Sequence, residues 1–104
     1  MKRYAFKMKL KPGCAAEYQR RHDMIWPDLA KAIRGAGISD YSIFLDAETL
    51  TLFAVLQQTN NNTVADLPQH PVVRQWWNHM AELMEVHPDN APVCIELWEV
   101  FHLD

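Results

Sequence analysis

The run Tyr41-Ser42-Ile43-Phe44-Leu45-Asp46-Ala47-Glu48-Thr49-Leu50-Thr51-Leu52-Phe53-Ala54-Val55-Leu56-Gln57 decides the fold of this chain. Successive residues of a strand point to opposite faces. Tyr41, Ile43 and Leu45 therefore share one side, with Ser42 and Phe44 on the other. Asp46-Ala47-Glu48-Thr49 has the length and composition of a hairpin loop. Leu50 to Gln57 is then apolar on both faces, with Leu52, Ala54 and Leu56 opposed by Phe53 and Val55. Two strands joined so briefly pair antiparallel, and both faces of the second need cover.

Upstream of this hairpin, Tyr4, Phe6, Met8 and Leu10 alternate with Ala5, Lys7, Lys9 and Lys11, the period of a strand with one solvated face. Pro12-Gly13 ends it. Tyr18, His22, Ile25, Leu29 and Ile33 then recur at steps of three and four, which places them on one helical stripe. Pro27 has no amide hydrogen, so the helix is expected to kink or restart after Trp26. Gly35-Ala36-Gly37 closes it.

Downstream, Gln57 to Asn62 is polar and loop-like, and its asparagines point to a helix start near Asn62. Pro71 fits the first turn of another helix, in which Val73, Trp76, Trp77, Met80, Leu83 and Met84 form a wide apolar face. His87-Pro88-Asp89-Asn90-Ala91-Pro92 is rich in turn formers. Val93 to Leu103 reads as a last strand, apolar on both faces apart from Glu96, Glu99 and His102. The order β-α-β-β-α-β, with right-handed crossovers, gives a ferredoxin-like α+β sandwich. Its four-stranded antiparallel sheet carries helices on one face. The apolar second face of the third and fourth strands calls for a second copy of the same sheet, a homodimer of the dimeric α+β barrel type.

Composition narrows the function. A chain of 104 residues, 49% of them hydrophobic, fits one domain, residues 1–104, with a real core. Lys and Arg number 10 against 13 Asp and Glu, a net charge of −3, and no basic block occurs. Nucleic acid and anionic membranes are thus disfavoured as partners. Lysines interrupt Met1 to Lys9 too often for a signal peptide or a membrane span. Cys14 and Cys94 form no CxxC pair and read as reduced thiols in a cytoplasmic protein.

The chemistry concentrates in Glu17-Tyr18-Gln19-Arg20-Arg21-His22-Asp23-Met24-Ile25-Trp26-Pro27. It sets His22, which titrates near neutral pH, one helical turn from both Tyr18 and Trp26. Periodicity alone leaves His22 open as a hydrogen-bonded core histidine, an acid/base group or a ligand. The five histidines show no helical ligand pair and no Cys/His spacing, so a metal site is poorly supported. Tyr18 and Tyr41 are either core residues or contacts to a bound molecule. Adjacent Trp76 and Trp77 point about 100° apart on a helix, so one can fill core while the other walls a cleft. An indole face with an N–H donor suits the C–H faces and hydroxyls of a sugar. Arg20 and Arg21 read as solvated surface, and Asp89-Asn90 as a turn.

Several segments together closely resemble the L-rhamnose mutarotase family. They are Glu17 to His22 with Ile25-Trp26-Pro27, Tyr41 through Asp46, Arg74-Gln75-Trp76-Trp77, Pro88-Asp89-Asn90, Glu96-Leu97 and Val100-Phe101. The resemblance covers essentially the whole chain; the Asn-rich stretch within Gln57 to Gln69 departs from it. It implies a dimeric cytoplasmic α+β sandwich that interconverts the α and β anomers of L-rhamnose. By motif, it implies that His22 is the proton donor and that Tyr18, Tyr41, Trp76 and Trp77 touch the sugar. Such a reaction has no redox step and requires neither cofactor nor metal. Two rival classes share the fold: a dimeric α+β-barrel monooxygenase or haem-degrading enzyme, and a non-catalytic sugar-binding module.

Overall fold

A computed structural model describes all residues, Met1–Asp104. Strand β1 (Lys2–Lys9) is followed by helices α1 (Ala15–Asp23) and α2 (Pro27–Gly35). The hairpin β2 (Ile38–Asp46) and β3 (Thr51–Gln58), helix α3 (Pro71–Met80) and strand β4 (Ile95–Leu97) complete the fold. Single-turn to two-turn 3-10 segments, Val64–Gln69 and Ala81–Leu83, flank α3. The sheet order β2-β3-β1-β4, all antiparallel, is the ferredoxin-like arrangement expected from the sequence.

The hairpin pairs Ile43 with Ala54 and Leu45 with Leu52, and sets Phe44 against Phe53 and Ser42 against Val55. The two faces are therefore divided as the alternation demands. On the helix side, Met8, Leu52, Ala54 and Leu56 are buried together with Leu29, Val73, Trp76, Met80, Leu83 and Met84. The loop is Ala47–Leu50, one residue later than its sequence indicates. Asp46 shapes it by accepting from the Glu48 amide at 3.1 Å and the Thr49 hydroxyl at 3.0 Å. Strand β2 begins three residues before Tyr41 and carries a bulge between Ser39 and Ser42, where Asp40 takes φ 50°.

The long first helix divides in two. Pro27 forces Trp26 into extended backbone, φ −63° and ψ 130°, so α1 closes at Asp23 and α2 restarts with Pro27 in its first turn. Gly37, at φ 99°, ends α2, and its carbonyl accepts from the Thr59 amide at 2.9 Å. A short 3-10 segment begins just after Asn62, whose side chain accepts from the Val64 amide at 3.1 Å. His70 caps α3 through Nδ1, which accepts from the Val72 amide at 3.2 Å.

The last strand corrects the sequence reading. Only Ile95–Leu97 pair with β1, and Trp98–Asp104 run on without regular structure. Apolar composition told of the need for cover but not of a pairing partner, and past Leu97 the tail bonds through side chains instead. Arg3 holds Glu99 at 3.3 Å and His102 at 2.7 Å. The open cleft under this tail is lined by Arg3, Gln57, Glu99 and His102 and contains no member of the His22 cluster.

Candidate active site

Helix α1 sets Tyr18 and His22 four residues apart on one face, and their rings stack with centroids 4.3 Å apart. His22 Nδ1 lies 3.0 Å from the Tyr18 carbonyl oxygen. A carbonyl only accepts, so Nδ1 carries the hydrogen and Nε2 is the nitrogen left to exchange protons. Burial holds the imidazole below its ordinary pKa, while the Tyr18 carbonyl and the Asp23 charge push the other way.

Trp76, on the buried face of α3, meets His22 edge-on at 5.4 Å and Trp26 edge-on at 5.1 Å. His79, one turn further along α3, packs on Trp26 at 5.4 Å and on Trp76 at 5.6 Å. Periodicity did not single out His79; its i+3 spacing from Trp76 was the available signal. Trp77 turns away from this group. It is half-buried at the edge of the core, with the Arg74 guanidinium 5.7 Å over its ring.

Tyr18 is buried, and desolvation raises its phenol far above the usual tyrosine value, with smaller contributions from Tyr41 and Cys94. Tyr41 is 39% exposed over the whole residue, yet protein crowds its hydroxyl end, and this desolvation, with the Cys94 thiol nearby, pushes its pKa up to about 12. Although α1 and β2 are far apart in sequence, Tyr18 and Tyr41 are close enough to sense each other's charge. Both phenols stay protonated and can donate to a ligand hydroxyl. Cys94 is an exposed residue whose thiol is nonetheless desolvated and raised.

Arg21 departs from its expected place at the solvated surface. Its side chain is 12% exposed, covered by its own ion-pair partners rather than by a thick layer of protein. It donates to Glu17 at 2.6 Å, to Glu82 at 2.6 Å and to the His79 carbonyl at 2.5 Å. It thus fastens α1, with Tyr18 and His22, to the end of α3, with Trp76 and His79. Arg20 does lie in solvent, paired with Glu17 at 2.6 Å. That double pairing holds the Glu17 carboxyl down at about 2. Asp89 and Asn90 form the turn their composition indicates, the Asp89 side chain accepting from the Ala91 amide at 3.0 Å. Nowhere do three His, Cys, Asp or Glu side chains come together to hold a metal ion, and no helix is long and apolar enough to cross a membrane.

Fold and site together define a ferredoxin-like α+β domain with a tautomer-fixed histidine among aromatic and phenolic groups. The family model for L-rhamnose mutarotase matches residues 3–103. The chain is 57% identical over 103 residues to an L-rhamnose mutarotase of Sinorhizobium fredii, covering 99% of each chain. It is 55% identical over 103 residues to one of Jannaschia sp., again covering 99% of each. The crystal structure of an L-rhamnose mutarotase from Formosa agariphila superposes with a TM-score of 0.93, at 44% identity, over 100% of both chains. The chain belongs to the L-rhamnose mutarotase family.

Proposed function

We propose that this chain, read as one domain over residues 1–104, is an L-rhamnose mutarotase, interconverting the α and β pyranose anomers by ring opening and reclosure. The observation that carries the acid/base part of this reading is the bond from His22 Nδ1–H to the Tyr18 carbonyl, which leaves Nε2 free beside Trp76. Opening requires the anomeric hydroxyl to lose a proton and the ring oxygen to gain one. His22 acts as the imidazolium: Nδ1–H stays bonded to the Tyr18 carbonyl while Nε2–H gives its proton to the ring oxygen, and burial, which weakens the hold on that proton, favours the transfer. The open aldehyde turns about its C1–C2 bond and closes on the other face. A positioned acid/base group is worth about 10²–10⁴ in rate. Tyr18 and Tyr41, held protonated, orient sugar hydroxyls. Trp76 offers an apolar wall to the 6-deoxy edge, where rhamnose carries a methyl and mannose a hydroxymethyl group, a preference of only ~1–3 kcal/mol, and Trp77 is the further sugar contact that the family motif implies.

A homodimer fits the outer face of the sheet. Phe44 there is 65% exposed and Ile95 55%, with Phe53 beside them. The free thiols of Cys14 and Cys94 fit a cytoplasmic setting. Sedimentation of wild type and Phe44→Glu tests the dimer: a wild-type monomer at micromolar concentration removes it. Saturation-transfer NMR on L-rhamnose, with wild type beside His22→Ala, tests the activity. Fast anomer exchange lost in a folded variant supports the assignment. Exchange at the uncatalysed rate with wild type sinks it, and full exchange in the variant removes His22 as the acid.

A further inference from the structure

Ring opening needs a base for the anomeric hydroxyl as well as an acid for the ring oxygen, and the acid assigned to His22 leaves that second role open. The phenols of Tyr18 and Tyr41 hold their protons too tightly to serve. Six of the thirteen carboxylates are engaged elsewhere: Glu17 and Glu82 by Arg21, Asp89 by Arg74, Glu99 by Arg3, Asp104 by His102 and Asp46 by its own loop.

Glu96 is different. In β4 it pairs with Phe6 of β1, and Phe6 pairs with Ala54 of β3, which is 0% exposed beneath the helices. Residues directly opposite one another share a face, so Glu96 stands on the helix-covered side of the sheet, while its neighbours Ile95 and Leu97 turn to the outer face. Cys94, two residues before it, shares this side, and its thiol lies within electrostatic reach of both Tyr18 and Tyr41. Tyr4, also on this face, senses Glu96 and Cys94 alike once burial has raised it. Glu96 thus adjoins the polar patch that begins at Tyr18, one turn from His22. It enters none of the ion pairs of the chain and is solvent-exposed, as a base awaiting a sugar must be.

From this placement, we propose that Glu96 is the general base of the mutarotase reaction, working opposite His22. The inference rests on the proposed mutarotase activity. The Glu96 carboxylate takes the proton of the anomeric hydroxyl as that C–O bond becomes a carbonyl. The bond from C1 to the ring oxygen breaks, its electron pair staying on the ring oxygen, which takes the Nε2 proton of the His22 imidazolium and leaves the neutral Nδ1–H ring. On reclosure the ring oxygen attacks the opposite face of the carbonyl and returns its proton to Nε2. Glu96 returns its proton to the new anomeric oxygen, and both groups end as they began.

The test is NMR anomer exchange of L-rhamnose with wild type, Glu96→Gln, Glu96→Asp and Glu96→Ala, the last with and without sodium formate. Expected is a fall in kcat of about 10²–10⁴ for Glu96→Gln with KM within a few-fold of wild type. Partial activity is expected for Glu96→Asp, and formate should restore turnover to Glu96→Ala above the formate-only rate. A kcat for folded Glu96→Gln within about three-fold of wild type overturns the proposal, as does a loss confined to KM, which would make Glu96 a sugar contact only. Should Glu96→Gln fail to fold, formate rescue of Glu96→Ala decides in its place, and absence of rescue overturns. Wild type that does not exchange rhamnose anomers fails the mutarotase reading itself; active wild type beside an unimpaired Gln variant fails Glu96 alone.

Discussion

Replacing Arg21 by Met tests whether a surface-type residue fastens the two halves of the site. Met keeps much of the apolar stem and removes the guanidinium. The bonds to Glu17 and Glu82 end on carboxylates that face water, 34% and 69% exposed, so their loss costs little. The bond to the His79 carbonyl is different: it closes a helix end and joins α1 to α3 across 58 positions of sequence. Hydrogen bonds to charged groups contribute about 1.5–3 kcal/mol. Because water can reach part of this site, the lower end applies, about 1.5–2 kcal/mol. For a domain of this size 1 kcal/mol moves Tm by roughly 4–8 °C, so Arg21→Met should melt about 6–16 °C below wild type. Thermal unfolding followed by circular dichroism at 222 nm reads this directly. Arg20→Met, whose parent is bonded only to Glu17 and Met24 on its own helix, is the control and should melt close to wild type. An Arg21→Met shift under about 3 °C, or one matched by Arg20→Met, would refute the role of the guanidinium as a fastener.

Three further outcomes follow from the same geometry. Proton NMR of the His22 ring should show a titration midpoint below the ordinary 6.5. Since the unfolded chain then binds this proton first, His22 favours the folded state above about pH 6.5 and that contribution is lost as pH falls through the folded value; a midpoint at or above 6.5 contradicts the burial argument. All three tyrosines have raised pKa values, so absorbance at 295 nm should show each less than half ionised at pH 10 in folded protein; a tyrosine with its midpoint at or below 10 would fail this. Gly37→Ala places a Cβ against the Thr59 hydroxyl and 2.9 Å from Asn62 Cβ, at a φ of 99°. It should cost about 1–3 kcal/mol in urea unfolding, and an unchanged midpoint would show that the 59–62 loop yields freely.

The parts of this structure legible in the sequence are those that periodicity controls. Alternation tells which residues share a face, so the split of Ile43 and Leu45 from Ser42 and Phe44 emerged intact in the register of β2 with β3. The stripe of three and four placed Tyr18 beside His22 for the same reason. Periodicity does not tell what a residue meets across space. Val93 to Leu103 had a strand's composition, but only three of its residues joined the sheet. Arg21 looked like its neighbour Arg20, yet one helical step of about 100° turns one toward α3 and leaves the other in water. Nor does alternation announce the bulge at Asp40, or that Tyr41 comes near enough to Tyr18 to sense its charge.

Pro27 joins the local to the tertiary level. An unbroken helix would carry Ile25 and Trp26 onward at 100° per residue, with Trp26 directed by the same axis as His22. Proline instead excludes helical backbone from the residue before it. Trp26 becomes extended, α1 stops at Asp23, and α2 starts on a new axis with Leu29 in the core. The indole freed by that break lies edge-on to Trp76 and under His79. Trp76 thereby meets both Trp26 and His22 edge-on. The residue that interrupts the helix is thus the one that completes the aromatic wall behind its histidine.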